Sequence, residues 1–185
     1  MCYKKKYIIN KTSKKLENGY SYEGEMRNGQ MDGIGKLKRK GKIVYEGEFK
    51  DDYANGYGKL VHRGDKYLGY FKDSEKHGEG KYFYKNGDMY HGEWANDEKH
   101  GYGIYFCKSK CEKYEGELYR GFKHGKCSIE FRNGDKYVGE CKANVLDGPG
   151  ILYYSNGTKF EGDFNMGKPY KGVLYDQNGN IIKIK

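Results

Sequence analysis

The sequence predicts an all-β protein: an elongated single-layer antiparallel meander of about seven β-hairpins, curled into an open solenoid. Three observations carry that expectation. One pattern recurs every 22 to 24 residues, starting at Tyr22, Tyr45, Tyr67, Tyr90, Tyr114, Tyr137 and Phe160, and a fixed period of that size marks a repeat architecture. Within each copy large apolar residues alternate with polar ones, the period of a strand with one wetter face. Glycine recurs at fixed places in those strands, where it weakens pairing unless something approaches its bare backbone closely.

Each copy opens as aromatic-x-Gly-x-hydrophobic: Tyr22/Gly24/Met26, Tyr45/Gly47/Phe49, Tyr67/Gly69/Phe71, Tyr90/Gly92/Trp94, Tyr114/Gly116/Leu118, Tyr137/Gly139/Cys141 and Phe160/Gly162/Phe164. This is the first strand of a hairpin. A polar loop of about six residues is expected next, within the usual connection lengths. Gly-x-Gly then opens the second strand, at Gly33/Gly35, Gly56/Gly58, Gly78/Gly80, Gly101/Gly103 and Gly148/Gly150. Asp32, Asn55, His77, His100, His124 and Asp147 stand just before it. They look like a ladder of metal ligands or bases. Asn, Asp and His are also the residues most tolerant of left-handed backbone after glycine. Copies about 10 Å apart cannot share one metal, so a turn role is expected. The links to the next copy are often Asn-Gly, as at Asn86-Gly87, Asn133-Gly134 and Asn156-Gly157, which suits a two-residue hairpin turn with positive φ at both positions. Aromatic rings are expected to lie across strand glycines. Which ring covers which glycine is left open.

Together these residues resemble the MORN family (membrane occupation and recognition nexus repeats). The resemblance covers about residues 20–182 in seven units and rests on the paired features recurring together. Three units depart from the pattern. The fifth has Gly125-Lys126-Cys127. The fourth lacks a turn glycine between Cys107 and Tyr114. The seventh, Met166-Gly167-Lys168-Pro169-Tyr170-Lys171-Gly172, has an extra spacer residue and no second glycine of the pair. A degenerate last unit suits a terminal cap. The resemblance implies an adaptor that organises a cytoskeletal, flagellar or membrane-apposed assembly. In other members the repeats are appended to lipid kinases, methyltransferases or junctional membrane proteins, and no such enzyme is expected within these 185 residues.

The chain divides into a basic segment, 1–19, which is a tail or a degenerate cap; the repeat array, 20–182; and a short tail, 183–185. Of the formal charge of +9, residues 1–42 hold twelve Lys/Arg against four acids. The Tyr7-Ile8-Ile9 run reads as a remnant strand or as part of a frayed tail. Lys4, Lys5 and Lys6 read first as a solvated tail. The alternative is attraction to acidic phospholipids, with Lys36, Lys38, Arg39, Lys40 and Lys42 adding to one positive end. Cys2 beside the cluster is then a lipidation candidate. Nucleic acid ranks lower, because no base-stacking platform or groove-reading helix accompanies the basic run.

No catalytic constellation emerges. Gly-x-Gly falls in hairpins, not before helices, so a dinucleotide role fails on context. Acid pairs such as Glu46/Glu48 repeat in most units, whereas a catalytic dyad needs a unique environment. Cys107 and Cys111 have no second pair at zinc spacing. The five cysteines, with no secretory apolar run before them, read as reduced thiols in a cytoplasmic protein. Neither enzyme activity, cofactor nor metal is expected.

The expected work is surface contact. Tyr45, Phe49, Tyr67, Phe71, Tyr90, Trp94, Tyr114 and Tyr137 would line a groove for a partner's helix or extended peptide. The final apolar run, Ile181-Ile182-Lys183-Ile184, would be an edge strand. It either pairs with a second copy as a homodimer or is blunted by its lysines.

Overall fold

The structure, a computed structural model, describes residues 10–184. It divides into two compact units, Met1–Lys85 and Asn86–Lys185, and the described residues contain no α-helix. In the first unit β1 (Asn10–Lys15), β2 (Tyr20–Arg27), β3 (Gln30–Arg39), β4 (Lys42–Lys50), β5 (Tyr53–His62), β6 (Asp65–Lys72) and β7 (Glu75–Phe83) pair in sequence order, antiparallel throughout. In the second unit β8 (Met89–Ala95), β9 (Glu98–Cys107), β10 (Glu112–Tyr119), β11 (Phe122–Glu130), β12 (Lys136–Lys142), β13 (Val145–Tyr153), β14 (Lys159–Asn165), β15 (Lys168–Tyr175) and β16 (Ile181–Ile184) do the same. The antiparallel meander of repeated hairpins is therefore present in each unit.

The expected basic segment is partly sheet. β1 pairs with β2, Lys14 opposite Tyr22 and Thr12 opposite Gly24, as the second strand of a preceding hairpin would. Tyr7, Ile8 and Ile9 lie outside the described residues. The seventh hairpin keeps a glycine that the sequence reading missed. Gly172 faces Gly162, and a Cβ there would stand 2.7 Å from the Phe160 ring.

The structure answers which ring covers which glycine. Tyr22, Tyr45, Tyr67, Tyr90 and Tyr137 each lie along their own strand, over their own glycine and the facing glycine of the next strand, whereas the strand of Tyr114 faces Cys127 at that place. A Cβ on Gly58 would stand 2.6 and 2.7 Å from Cζ and Cε2 of Tyr45. The bare backbones make a slot, and the ring fills it. The strand then bulges at the following residue, as between Gly24 and Met26 or Gly47 and Phe49. The bulged peptide's carbonyl accepts the tyrosine hydroxyl: Tyr22 to Glu25 at 2.7 Å, Tyr45 to Glu48 and Tyr137 to Glu140 at 2.9 Å. The glutamate side chain turns back across the strands. Glu48 accepts the Tyr57 amide at 2.8 Å and Glu93 the Tyr102 amide at 3.0 Å. One bulge thus satisfies a buried hydroxyl and an amide that the Gly-x-Gly bend takes out of the ladder.

The aromatic at the fifth position clamps the tyrosine from the side. Tyr45 meets Phe49 and Phe71 edge to face, centroids 5.0 and 5.1 Å apart. Tyr137 meets Phe164 at 4.9 Å. Such pairs contribute about 1 kcal/mol each beyond their area.

Three expectations about turns are corrected. The six-residue polar loops do not form. The strands run on through them to two-residue turns with positive φ, such as Asp51-Asp52, Asn96-Asp97 and Ala143-Asn144. Asp32, Asn55, His77, His100, His124 and Asp147 are not left-handed. The bend falls one residue later, on the first glycine, with φ +104° at Gly56 and +107° at Gly148. Only a residue without Cβ enters that region freely, so the bend sits on glycine rather than on its tolerant neighbour. The Asn-Gly links are not two-residue turns either. Gly134 donates to the Phe131 carbonyl at 3.0 Å and is left-handed while Asn133 is not. This is a type I turn closed by a left-handed glycine.

Asp88, buried at the start of β8, fixes one of these links. It accepts the Tyr105 hydroxyl at 2.7 Å, the Lys108 amide at 2.9 Å and the Asn86 amide group at 2.9 Å. The Tyr105 hydrogen bond is the first cause that holds its carboxyl below the usual range. Asp65 and Asp135 are lowered at equivalent places, chiefly by the amides of Lys85 and Ser155. A depressed folded value means stability that is present above the unfolded value near 4 and is lost as pH falls below it. Asp88→Asn is expected to cost about 2 kcal/mol at pH 7 and to flatten the fall in stability below pH 4. Urea denaturation at pH 7 and pH 3 measures both, and equal losses at the two values would contradict the assignment.

Candidate docking surface

The structure corrects the expected partner groove. Tyr67, Tyr90, Tyr114 and Tyr137 are at most 1% exposed, and Tyr45, Phe49, Phe71 and Trp94 at most 6%. Large rings bury themselves wherever glycine opens a slot, so these residues are the core. A partner could reach them only by opening the sheet. What the same face leaves partly accessible is the second strand of several hairpins, though not of the fifth, where Ile129 and Cys127 are buried. Leu37 and Leu60 in the first unit, and Leu152 and Leu174 in the second, stand directly opposite the opening aromatics and are half-buried.

In the second unit this face holds a shallow hollow of about 420 Å³. Leu146, Leu152 and Phe131 form its apolar part, and Lys110, Arg132, Glu112 and Asp135 its rim. The register explains its position. Leu152 faces Tyr137 and Leu146 faces Cys141. The clamping column shrinks here from Trp94 to Leu118 and Cys141. Both rim acids are engaged. Glu112 holds Lys123 at 3.1 Å, and Asp135 accepts the Ser155 amide at 2.8 Å and Asn133 Nδ2 at 2.8 Å. The Lys110 and Arg132 side chains are exposed. The hollow is apolar, and of the two basic and two acidic residues on its rim only Lys110 and Arg132 are exposed.

The opposite face is of another kind. In the first unit a hollow of about 680 Å³ is lined by Glu23, Glu25, Ile34, Lys36 and Glu46, with Thr12 and Ser13, and Lys36 pairs with Glu46 at 2.9 Å. Glu23 pairs with Lys38 at 2.6 Å, and Glu25 accepts the Ile34 amide at 3.0 Å. Exposed aromatics on this face meet one another, as Tyr57 and Tyr70 do at 5.3 Å, or a carboxylate, as Tyr102 does with Glu115 at 2.8 Å.

The basic residues expected to meet lipid are divided. Lys4, Lys5, Lys6 and Cys2 lie outside the described residues. Lys38 is held by Glu23 at 2.6 Å, and Arg39 lies over the Tyr20 ring at 5.3 Å. Lys40 and Lys42 sit at the turn before and at the start of β4. The structure therefore does not gather the five residues from Lys36 to Lys42 into one free patch. Ile181, Ile182 and Ile184 of β16 are exposed at 61, 55 and 73%. Among the described residues no three His, Cys, Asp or Glu side chains converge as metal ligands would.

Not all cysteines are reduced. Cys127 and Cys141 form a disulfide between β11 and β12, while Cys107 and Cys111 are free thiols. The reading of reduced thiols throughout is overturned, because the two lie diagonally on one face with Cα atoms 6.2 Å apart, inside bonding range.

Sequence reasoning missed Lys110, Phe131, Arg132, Leu146 and Leu152. The small residues at 118 and 141 were legible as departures from the aromatic column. That a hollow opens over the strands beside them was not.

Comparison with known proteins places these observations. A family model described as the MORN repeat matches residues 22–41, 45–63, 67–89, 90–112, 114–136 and 137–159. No curated protein matches the sequence. Among solved structures, the chain is similar to the SAS-4 (dCPAP) TCP domain in complex with a proline-rich motif of Ana2 (dSTIL) of Drosophila melanogaster. That likeness has 14% identity, covers 80% of this chain and 81% of that one, and has a TM-score of 0.47.

Proposed function

The chain belongs to the MORN repeat family, and on that premise we propose that it is a non-catalytic adaptor whose tyrosine face docks a segment of a partner protein within a cytoskeletal or membrane-apposed assembly. The partner segment is a short apolar anchor flanked by Asp or Glu. One observation carries this reading: the hollow of Leu146, Leu152 and Phe131 is ringed by charges of which only the basic ones are uncommitted. An apolar anchor removes that hollow from water, and acidic flanks meet Lys110 and Arg132, which sets orientation and encounter rate.

The test uses a peptide array in which apolar anchors carry acidic, neutral or basic flanks. The full chain should select acidic flanks. Lys110→Glu/Arg132→Glu, both exposed and remote from the core, should weaken the best peptide at least about tenfold at 0.1 M salt and leave the melting curve unchanged. Leu152→Lys should abolish binding to all three sets. Equal affinity of the charge-reversed chain for acidic flanks would overturn the assignment.

A further inference from the structure

We infer that Cys127 and Cys141 are a reversible thiol–disulfide site that takes a low-molecular-weight disulfide of the glutathione class as oxidant and staples the fifth repeat to the sixth. The argument starts from two departures that occur together. In the second and third repeats Gly58 lies under the Tyr45 ring, and Phe71, one strand over on the same face, clamps that ring at 5.1 Å. Gly58 faces Gly69 and Gly56 faces Phe71.

The fifth and sixth repeats have the same register with different side chains. Cys127 faces Gly139, where Gly58 would be, and Gly125 faces Cys141, where Phe71 would be. The covered glycine and the clamping ring are both replaced, and both replacements are cysteine. Either change alone damages the repeat. A Cβ under the tyrosine intrudes on its slot, and a small residue at the clamp leaves a gap. Made together, they bring two sulfurs to one place, and the covalent bond supplies the link between strands that ring packing supplies elsewhere. Tyr114 stays 1% exposed, with Lys123 Nζ 4.9 Å over its ring where no aromatic clamp stands.

The chemistry balances as two exchanges. One cysteine thiolate attacks a sulfur of the small disulfide and expels one thiolate, leaving a mixed disulfide. The second cysteine thiolate attacks the protein sulfur of that bond and expels the other. Two protein thiols are oxidised, the small disulfide is reduced to two thiols, and the two cysteine protons pass to the departing thiolates. Both cysteines are buried, at 6 and 3% exposure, so exchange waits on opening of the β11–β12 pair. Closure of the bond joins residues 14 apart and lowers the entropy of the opened chain.

The experiment uses the full chain under oxidising and under reducing conditions. Incubated with glutathione disulfide and digested without reduction, it should yield the peptide pair joined through Cys127 and Cys141. With dithiothreitol the pair should separate, and the melting temperature should fall by on the order of 10 °C. Cys107→Ser/Cys111→Ser should behave in the same way. Cys127→Gly/Cys141→Phe, which restores the repeat, should melt at one temperature in both buffers. Unlinked Cys127 and Cys141 in the oxidising buffer, or equal melting of the native chain in the two buffers, would overturn the inference even if the restored variant failed to fold.

Discussion

Gly58→Ala should destabilise the chain by about 3 kcal/mol, far beyond the usual change for glycine in a strand, and urea unfolding measures it. The reason is steric. Gly58 does not have positive φ, so its backbone would accept alanine. The objection is the Tyr45 ring, whose Cζ and Cε2 lie 2.6 and 2.7 Å from where the methyl carbon would be. The ring cannot step aside. Phe49 and Phe71 hold it at 5.0 and 5.1 Å, and its hydroxyl is tied to the Glu48 carbonyl. Tyr45→Ala should itself cost about 4 kcal/mol, since the ring is 3% exposed and leaves a large cavity. The double variant should lose well under the sum, because alanine at 58 then enters the space that the ring vacated. Position 127 shows the condition under which a Cβ is accepted: the clamping ring beside it is replaced as well. Strict additivity of Gly58→Ala and Tyr45→Ala would refute the slot.

The second large effect is expected at high pH. Tyr22, Tyr45, Tyr114 and Tyr137 are held neutral in the fold, and burial is the first reason. Tyr22 and Tyr137 are each pushed up to about 12; the Glu25 charge adds to the shift of Tyr22, while at Tyr137 the hydrogen bond to the Glu140 carbonyl works against burial. Tyr45 and Tyr114 are raised further, again by burial first. A folded value above the unfolded value near 10 gives stability that is complete below pH 10 and is lost as pH rises from 10 through the folded values. Two such groups stand in each unit, Tyr22 and Tyr45 in the first and Tyr114 and Tyr137 in the second, so the loss should be cooperative. Tyrosinate absorbance should contain a step that coincides with loss of the β-sheet circular dichroism signal. Tyr22→Phe/Tyr137→Phe should move that step to higher pH while costing about 1 kcal/mol per hydrogen bond at neutral pH. Phe160 already occupies the equivalent place without a hydroxyl. An alkaline limb unmoved by the double variant would argue against these two groups as its source.

Much of the fold is legible in the residues. The 23-residue spacing of Tyr22, Tyr45 and their successors fixes the hairpin count, because neither a helix nor a loop keeps such a period with alternation inside it. The glycines imply close approach by aromatics. The turns read less well. Asp51-Asp52 suits left-handed backbone, but Ala143 does not, and there the conformation is imposed by the strands on either side. The docking surface was misread for a related reason. A row of aromatics at strand spacing reads equally as floor or as core.

The sequence by itself determined the repeat, the hairpin and the close approach of aromatic rings to strand glycines, because each follows from local periodicity and from what a missing Cβ permits. Only the tertiary structure decided which face is core, where the hollow lies and that Cys127 meets Cys141. Those outcomes depend on register between strands, and a bulge in the strand places Phe49, Phe71 and Cys141 on the tyrosine side of the sheet. Whether a side chain is buried is settled by the neighbouring strand, not by its own.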